Sequence, residues 1–381
     1  MLTYKSVLCA APFSSLFISK TTAKTCCALS YDPNTKLNIN QDISNIFDSA
    51  NKDIRENFKQ IGFNLENIHH GCVNCNARTD LLQRIHYNEF TDNNIDYINN
   101  PTLTYLHIDF SNICNLACRI CNGNSSNLLI DESNLLERNH NHNLRKIITF
   151  NSPLYKSIVD NLSNIRYLRF SGGEPLLHEE VWTLIETAYK LGYTKNIDFK
   201  VNTNGTIKLS EYRMNILKSF KGTHIDISMD GIEKYAEYIR TNIVWDRWLA
   251  NLMEYQKEFK LCLNIDFSIV CTISIYNVHI YNQIKTFFND LDIAVTTNML
   301  FGPEKLCSYN INQRAKDYLN KLYKNKFPEL LHFINYENKI DPAEIVEFID
   351  KKDNIVLSNN LHKNYRAFRD VDPEWYAMLK G

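Results

Sequence analysis

The sequence predicts an α/β protein whose largest part is a parallel sheet wound with helices, and three observations lead to that class. The chain has 381 residues, of which 44% are hydrophobic, so it can bury a large core and exceeds the length of one average domain. Beyond residue 100, short apolar stretches alternate with segments of helical periodicity, which is typical of parallel βα units. Before residue 100 the chain is polar, asparagine-rich and cysteine-rich. We therefore expect a small N-terminal domain over 1–100, a core over 101–305 and a helical extension over 306–381.

The predicted core contains apolar stretches of strand length that are separated by helical segments. The predicted strands are 103–110, 165–170, 197–203, 224–229, 263–270 and 293–300. The predicted helices are 179–192, 209–220, 245–259 and 281–291 in the core, and 43–63 in the N-terminal domain. Units of this kind close as a full or partial barrel, or lie as an open wound sheet.

Charge and hydropathy exclude two broad classes of partner. The formal net charge is -1 and no run of Lys and Arg stands out, so we expect no general binding to nucleic acid or to anionic lipid. No stretch reaches the length of about 18 apolar residues that a membrane-spanning helix needs. The apolar segment 7–18 is interrupted by Pro12, Ser14 and Ser15, so we interpret it as the mature start of a cytoplasmic protein rather than a signal peptide.

Three cysteines, Cys114, Cys118 and Cys121, lie in the loop that follows the first predicted core strand. That position is the carboxyl end of the sheet, where parallel α/β folds assemble their active sites. A structural zinc site closes its tetrahedron with four ligands, and a cubane iron–sulfur cluster is usually held by four thiolates. Three thiolates would leave one iron open to a ligand that is not protein.

This C-x3-C-x2-C loop, together with a GGEP turn after the second strand, resembles the signature of the radical S-adenosylmethionine (SAM) enzymes. The resemblance implies a partial (β/α)6, TIM-like barrel and a [4Fe–4S] cluster on Cys114, Cys118 and Cys121. It also implies that the open iron is chelated by the methionine moiety of SAM. An electron from the cluster would then cleave SAM to a 5′-deoxyadenosyl radical, which abstracts a hydrogen atom from substrate.

The GGEP turn consists of Gly172, Gly173, Glu174 and Pro175. Two glycines permit close backbone approach and unusual dihedral angles, and a carboxylate suits a cationic amine. In the family, backbone and acidic groups of this motif receive the SAM ammonium group. The resemblance therefore implies that these four residues seat SAM.

Further SAM contacts are implied at Asn204, Ser228 and Arg240, which lie after the third and fourth predicted strands or shortly beyond them. Ser228 offers a hydroxyl to the ribose or to the methionine carboxylate, and Arg240 offers a bidentate partner for that carboxylate. One position departs from the family pattern. Ile120 stands where an aromatic residue often precedes the last cluster cysteine, so no adenine contact is assigned to it.

The remaining early cysteines resemble the half-motifs of the SPASM and twitch subfamilies, whose additional domain binds an auxiliary iron–sulfur cluster. The ligands implied are Cys9, Cys26, Cys72 and Cys75, with Cys27 as an alternative to Cys26. A zinc site that stabilises a small polar domain would use the same ligand types. Iron–sulfur and zinc therefore both stay open for this site.

We predict a cytoplasmic radical SAM enzyme that acts on a peptide or protein, since auxiliary clusters in related enzymes often serve peptide modification. The same chemistry on a carbohydrate, a nucleoside or another small molecule is the alternative. The cluster would require an electron donor such as flavodoxin or ferredoxin. A hypothesis of another class is a nonenzymatic zinc-binding scaffold or nucleic-acid-binding protein, but such a protein should be basic and would leave the GGEP turn unexplained.

Overall fold

The computed structural model describes most of the chain. The described residues are 9, 11–19, 22–26, 29, 36–61, 99–136, 142–143, 148–362 and 365–381. Three predicted auxiliary-site cysteines, Cys27, Cys72 and Cys75, lie outside these ranges. Among the described residues, no helix combines the length and apolarity needed to cross a lipid bilayer.

The strands of the described residues form one sheet with the order β2-β1-β3-β4-β5-β6-β7-β8. Their bounds are β1 Ser15–Ser19, β2 Thr22–Lys24, β3 Tyr105–Asp109, β4 Tyr167–Ser171, β5 Asp198–Thr203, β6 Gly222–Ser228, β7 Ile265–Ile273 and β8 Val295–Met299. Strands β1 and β3, β3 and β4, β4 and β5, and β7 and β8 pair in parallel. The predicted α/β class is confirmed, and each predicted core strand is present.

The strand order distinguishes a barrel from an open, doubly wound sheet, which the sequence alone does not. From β3 to β8 the order follows the chain without reversal, as in a (β/α) barrel, whereas a doubly wound sheet reverses its order near the middle. The fold therefore agrees with the predicted partial barrel.

Helices connect the strands and continue beyond the last one. Their bounds are α1 Ala11–Ser14, α2 Ile43–Ile61, α3 Ile130–Leu136, α4 Pro153–Asp160, α5 Glu179–Lys190, α6 Glu211–Lys218, α7 Glu233–Ile239, α8 Trp245–Phe259, α9 Tyr281–Asp290, α10 Gln313–Leu322, α11 Pro328–Ile334, α12 Ala343–Ser358, α13 Phe368–Val371 and α14 Pro373–Lys380. Helix α8 shows why these segments fold: its buried Trp248, Leu252, Tyr255 and Phe259 recur at spacings of three and four and make one apolar face. The predicted helical C-terminal extension is present as α10–α14.

Part of the predicted N-terminal domain belongs to the sheet, which the sequence did not indicate. Strand β1 pairs in parallel with β3, with Leu16 opposite Leu106 and Ile18 opposite Ile108, and these four side chains are buried. Strand β2 pairs antiparallel to β1 at the sheet edge. The alternating hydrophobic positions of β1 thus extend the core that β3 begins.

The chain divides into two compact units that are each described by themselves. The first unit comprises Met1–Ser111, Arg145–Val201 and Ser210–His224, and the second comprises Asn112–Leu144, Asn202–Leu209 and Ile225–Gly381. The predicted linear division at residues 100 and 305 is a different partition and stays a prediction.

Candidate functional site

The cysteine loop lies in the second unit and is held by backbone hydrogen bonds at several points. The amide of Cys121 donates to the carbonyl of Cys118 at 3.0 Å, which closes a tight turn between these two ligands. Ala117 N donates to Thr241 O at 2.9 Å, and Arg119 N donates to Ile239 O at 2.7 Å. The loop is thereby attached to the end of α7, and a rigid loop can present its thiols in a fixed spacing.

The three thiols are not in disulfides, and the environment favours ionisation of one of them. Cys118 is only 4% exposed. A hydrogen bond from the Cys121 thiol, helped by the charge of Arg240, lowers the pKa of Cys118 to about 7 although burial opposes this shift. Donating that hydrogen bond raises the pKa of Cys121, as does burial. A thiolate is the form that binds iron, so Cys118 is prepared for ligation.

Arg240 lies beside the loop as part of a buried ion pair. Its Nη2 is 2.7 Å from Asp230 Oδ2, and its Nη1 is 3.8 Å from Cys118 Sγ. Asp230 is held in turn by the amide of Thr272, which donates to Oδ1 at 2.7 Å. Within the described residues, Arg240 Nε has no hydrogen-bond acceptor. A buried cation with a donor to spare fits an anionic group at this place.

Asn204 contacts the first cysteine of the loop. Its Nδ2 donates to Asn115 Oδ1 at 2.8 Å and lies 3.9 Å from Cys114 Sγ. Its Oδ1 accepts from the amide of Thr206 at 3.0 Å. The structure thus brings Asn204 and Arg240 to the cysteine loop. Ser228, the last residue of β6, is half-buried in the same unit.

The three cysteines are a ligand set of the kind that holds an iron–sulfur cluster. In the described ranges, no three His, Cys, Asp or Glu side chains surround one position that a metal ion could occupy. A cubane cluster does not require such a position, because each thiolate bonds a different iron. Cys114, Cys118 and Cys121 would hold the cluster, with Arg240 balancing its negative charge.

The GGEP turn lies in the first unit, directly after β4. Gly172 and Gly173 have φ angles of 82° and 55°, a region that strongly favours glycine. A Cβ on Gly172 would lie 2.9 Å from the Cβ of Asp109. The Glu174 side chain is fully buried and its Oε1 accepts from the amide of Leu176 at 3.1 Å, so this carboxylate caps the short 3-10 turn that begins at Pro175.

A polar chain of hydrogen bonds supports the start of that turn. Register pairs Asp109 with Ser171 at the carboxyl ends of β3 and β4, and the Ser171 hydroxyl donates to Asp109 Oδ1. His107 Nε2 is 2.6 Å from Ser171 Oγ. Burial, with the charge of Arg169, lowers the pKa of His107 to about 3, so the imidazole is neutral and donates to the serine.

Four buried charged residues beneath the cysteine loop were not predicted from the sequence. Arg119 Nη1 is 2.8 Å from Glu132 Oε2, and Lys352 Nζ is 3.3 Å from Glu132 Oε1. Lys352 Nζ also donates to the carbonyl of Arg119 at 3.0 Å, and Arg119 Nη2 is 3.9 Å from Asp353 Oδ1. Burial, reinforced by Arg119, lowers the pKa of Lys352 to about 8 although Glu132 opposes this. The position of Arg119 between two ligands was the only signal in the sequence.

The auxiliary-site prediction is only partly within the described residues. Cys9 and Cys26 are half-buried, are not in disulfides, and precede α1 and follow β2, respectively. The amide of Ala11 donates to Cys9 Sγ at 3.5 Å. These two predicted ligands therefore flank the segment that forms β1 and β2.

Comparison with known proteins gives matches over part of the chain. Residues 108–269 match the model of the radical SAM superfamily. The 7-carboxy-7-deazaguanine synthase of Aquifex aeolicus is 29% identical over 114 residues, which are 29% of this chain and 43% of that protein. The GTP 3′,8-cyclase of Aliarcobacter butzleri is 29% identical over 154 residues, which are 40% of this chain and 43% of that protein. The chain thus spans less than half the length of these curated relatives.

Solved structures give weaker likenesses. Native anSMEcpe with bound AdoMet shares 21% identity with a TM-score of 0.40, covering 59% of each chain. SuiB of Streptococcus suis bound to S-adenosylmethionine shares 15% identity with a TM-score of 0.35, covering 66% of this chain and 59% of that one. The similarity to the radical SAM superfamily therefore depends on the sequence match and on the cysteine loop and GGEP turn that it includes. Residues 108–269, which contain both motifs, are the part of the chain that matches the superfamily model.

Proposed function

We propose that the chain is a radical SAM enzyme that binds a [4Fe–4S] cluster through Cys114, Cys118 and Cys121. The observation that carries this proposal is the loop of three thiols outside disulfides, in which a hydrogen bond from Cys121, helped by the charge of Arg240, lowers the pKa of Cys118 to about 7. When bound, the cluster supplies the electron that cleaves SAM to methionine and a 5′-deoxyadenosyl radical, which then abstracts a hydrogen atom from the substrate. A flavodoxin or ferredoxin is the proposed electron donor.

The chain's own residues would bind and orient these groups. Arg240 is a cation beside Cys118 and would offset the negative charge of the cluster. Asn204 donates toward Cys114, and hydrogen bonds to ligand sulfur are one of the means by which proteins set cluster potentials. The SAM-binding roles proposed for Gly172, Gly173, Glu174, Pro175 and Ser228 rest on the family resemblance.

The Glu174 carboxylate, which caps the turn at Pro175, can also accept hydrogen bonds from SAM. One oxygen, Oε1, accepts from Leu176, and a carboxylate has further lone pairs on its two oxygens. The positive φ angles of Gly172 and Gly173 also expose main-chain groups that a side chain would cover. Main-chain carbonyls and the Glu174 carboxylate are therefore the acceptors proposed for the SAM ammonium.

An auxiliary site on Cys9, Cys26, Cys72 and Cys75, with Cys27 as the alternative to Cys26, is a further proposal. Cys9 and Cys26 flank the β1 and β2 segment, and strand pairing limits how far two flanking residues can separate. Iron–sulfur is proposed over zinc because the same chain carries the cysteine loop. Elemental analysis of a variant without the three loop cysteines distinguishes these two metals.

A peptide or protein is the proposed substrate, by analogy with enzymes that carry an auxiliary cluster. A nucleotide is the second candidate, because two cations are adjacent on the sheet: Arg169 of β4 is the register partner of Lys200 of β5, and both are half-buried. Adjacent Arg and Lys suit a phosphate group. The relative whose name includes GTP supports the same candidate.

The central test replaces Cys114, Cys118 and Cys121 together by Ala in the full chain. We expect protein purified without oxygen to contain iron and sulfide and to form 5′-deoxyadenosine from SAM under reducing conditions. The triple variant should lose the iron of one cubane and all 5′-deoxyadenosine formation, since the radical cluster has lost its ligands. Cys262→Ala, which removes a thiol outside the loop, is the control. Retained 5′-deoxyadenosine formation in the triple variant would contradict the proposal.

The nucleotide candidate is tested by titrating the full chain with GTP. We expect Arg169→Ala to weaken GTP binding about tenfold or more, because a charge-assisted contact to phosphate contributes about 1.5–3 kcal/mol. Arg166→Ala is the matched control, since this arginine precedes β4 and donates to the carbonyls of Ser163 and Ile165. Absence of GTP binding by the unmodified chain removes the nucleotide candidate and leaves the peptide.

A further inference from the structure

We infer that helix α12 supports the proposed cluster site, with Lys352 and Glu132 as positioning residues that hold Arg119 and thereby the spacing of Cys118 and Cys121. The inference depends on the proposed function, because it concerns the loop proposed to bind the cluster. It assigns a role in that site to the C-terminal extension, outside the segment that matches the superfamily model.

The first step is the backbone of Arg119, the residue that follows Cys118. Its amide donates to Ile239 O at 2.7 Å and its carbonyl accepts from Lys352 Nζ at 3.0 Å. Both main-chain polar groups of this residue are thus fixed, one by α7 and the other by α12. Since only Ile120 separates Arg119 from Cys121, removal of the lysine would free one side of the turn that carries both thiols.

The second step is the side chain of Glu132, which links the two cations. Its Oε2 is 2.8 Å from Arg119 Nη1 and its Oε1 is 3.3 Å from Lys352 Nζ. Glu132 lies on α3, which follows the cysteine loop in the chain. The carboxylate therefore keeps both positive groups at the loop, and opposite charges attract strongly where water is excluded.

The third step is Asp353, the neighbour of Lys352 on α12. Its Oδ2 accepts from the amide of Phe368 at 2.7 Å, and its Oδ1 accepts from the Tyr238 hydroxyl at 3.1 Å. The ring of Tyr365 lies 5.2 Å from the Arg119 guanidinium carbon. The guanidinium is therefore enclosed by aromatic and acidic groups on the side away from Glu132.

The energetics explain why the arrangement is rigid. The exposed fractions are 0% for Arg119, 1% for Glu132, 3% for Lys352 and 2% for Asp353. Two cations and two carboxyl groups share this buried volume, and loss of one member leaves another charge unpaired away from water, which typically costs about 3–5 kcal/mol. The network thus has few alternative arrangements, and this restricts the backbone of Arg119 in the cysteine loop.

A second buried lysine in the same extension provides a matched comparison. Lys316 of α10 is also buried, and its Nζ donates to Tyr336 O at 2.8 Å and to Asn338 Oδ1 at 2.6 Å. Replacing either lysine by Met removes a buried ammonium from a main-chain carbonyl. Only the Lys352 carbonyl partner belongs to the cysteine loop.

The experiment compares the full chain with Lys352→Met, Lys316→Met and the isosteric Glu132→Gln, all purified without oxygen. Hydrogen exchange of the amides in 113–123 is measured before and after iron removal, and the cluster's midpoint potential and electron paramagnetic resonance spectrum are recorded. We expect Lys352→Met and Glu132→Gln to speed exchange in 113–123 by about tenfold or more and to alter the cluster spectrum. Lys316→Met should change neither property, although it lowers stability.

Two results would overturn the inference: unchanged exchange and spectrum in both Lys352→Met and Glu132→Gln, or equal changes in Lys316→Met. If Lys352→Met does not fold, Glu132→Gln decides alone, because it keeps the side-chain shape. Failure of the proposed function is distinct, since the unmodified chain would then hold no cubane cluster at all. The exchange measurement on iron-free chain still reports whether Lys352 positions the loop.

Discussion

Arg240 and Asp230 form a buried ion pair beside Cys118, and this pairing occupies part of the guanidinium. The sequence suggested a bidentate partner for the methionine carboxylate of SAM. In the structure, Nη2 is bound to Asp230 and Nη1 faces Cys118 Sγ, so Nε is the guanidinium donor without an acceptor among the described residues. Each Nη carries a second N–H, so the guanidinium keeps donors for an anionic group besides these two contacts. We propose that Arg240 also acts on the Cys118 thiol.

A double-mutant cycle at this pair separates stability from cluster chemistry. Arg240→Gln should lower the free energy of unfolding by about 3–5 kcal/mol, because it leaves the Asp230 carboxylate buried without its cation. The double replacement Arg240→Gln with Asp230→Asn should recover most of that stability, since both charges are gone. Urea unfolding of iron-free chain measures this effect.

The same variants test the electrostatic role. If Arg240 compensates cluster charge, the double variant should hold a cluster of lower midpoint potential than the unmodified chain, although its stability is restored. An unchanged potential in the double variant would contradict that role and would leave Arg240 a purely structural residue.

At the scale of elements, alternation of apolar segments was sufficient to predict the core. The predicted strand 103–110 is observed as Tyr105–Asp109 and the predicted helix 245–259 as Trp245–Phe259. Such segments are predictable because burial of one face gives their hydrophobic residues a regular spacing. Strand β1 was missed for the opposite reason. It has only five residues, and both its first and last residues are serine, so local pattern could not distinguish it from a loop.

The site was predictable only where ligands are close in sequence. C-x3-C-x2-C and GGEP are local motifs, and together they resemble a family signature that implies their chemistry. Lys352 and Arg119 are separated by 233 positions, and Lys352 stands in a charged segment that would ordinarily be solvated. A periodic sequence pattern does not show which distant charged residues pair in a core. The contacts between Lys352 and the cysteine loop could therefore be found only from the structure.

At the scale of the whole molecule, buried histidines make stability depend on pH. The pKa of His107 is lowered from 6.5 to about 3 by burial and by Arg169, and burial lowers the pKa of His279 and His362 in the same direction. A folded-state pKa below the unfolded value means that the unfolded chain takes up the proton first as pH falls. The contribution of these histidines to stability should therefore be complete above about pH 6.5 and decline as pH falls from about 6.5 toward about 3.

The contribution of His107 to the pH dependence of stability is measured by comparing the unmodified chain with His107→Gln. Between pH 7 and pH 5, the free energy of unfolding should fall by about 2 kcal/mol more in the unmodified chain than in His107→Gln, because the variant has no proton to gain there. Urea unfolding of iron-free chain at both pH values gives the comparison. The exposed His332→Gln should keep the full pH dependence, and an equal pH dependence in His107→Gln would contradict the assignment.

Lys352 lies 233 residues beyond the loop carbonyl that it supports, and this separation has a biosynthetic consequence. In a nascent chain, Cys114, Cys118 and Cys121 are synthesised long before α12. These thiols therefore leave the ribosome before Lys352 can bind the loop carbonyl. Factors that deliver iron and sulfide would therefore find the cysteine loop supported by α12 only late in translation. For the same reason, a recombinant fragment limited to 108–269 would lack the lysine, and cofactor loading is better assayed on the uncut polypeptide.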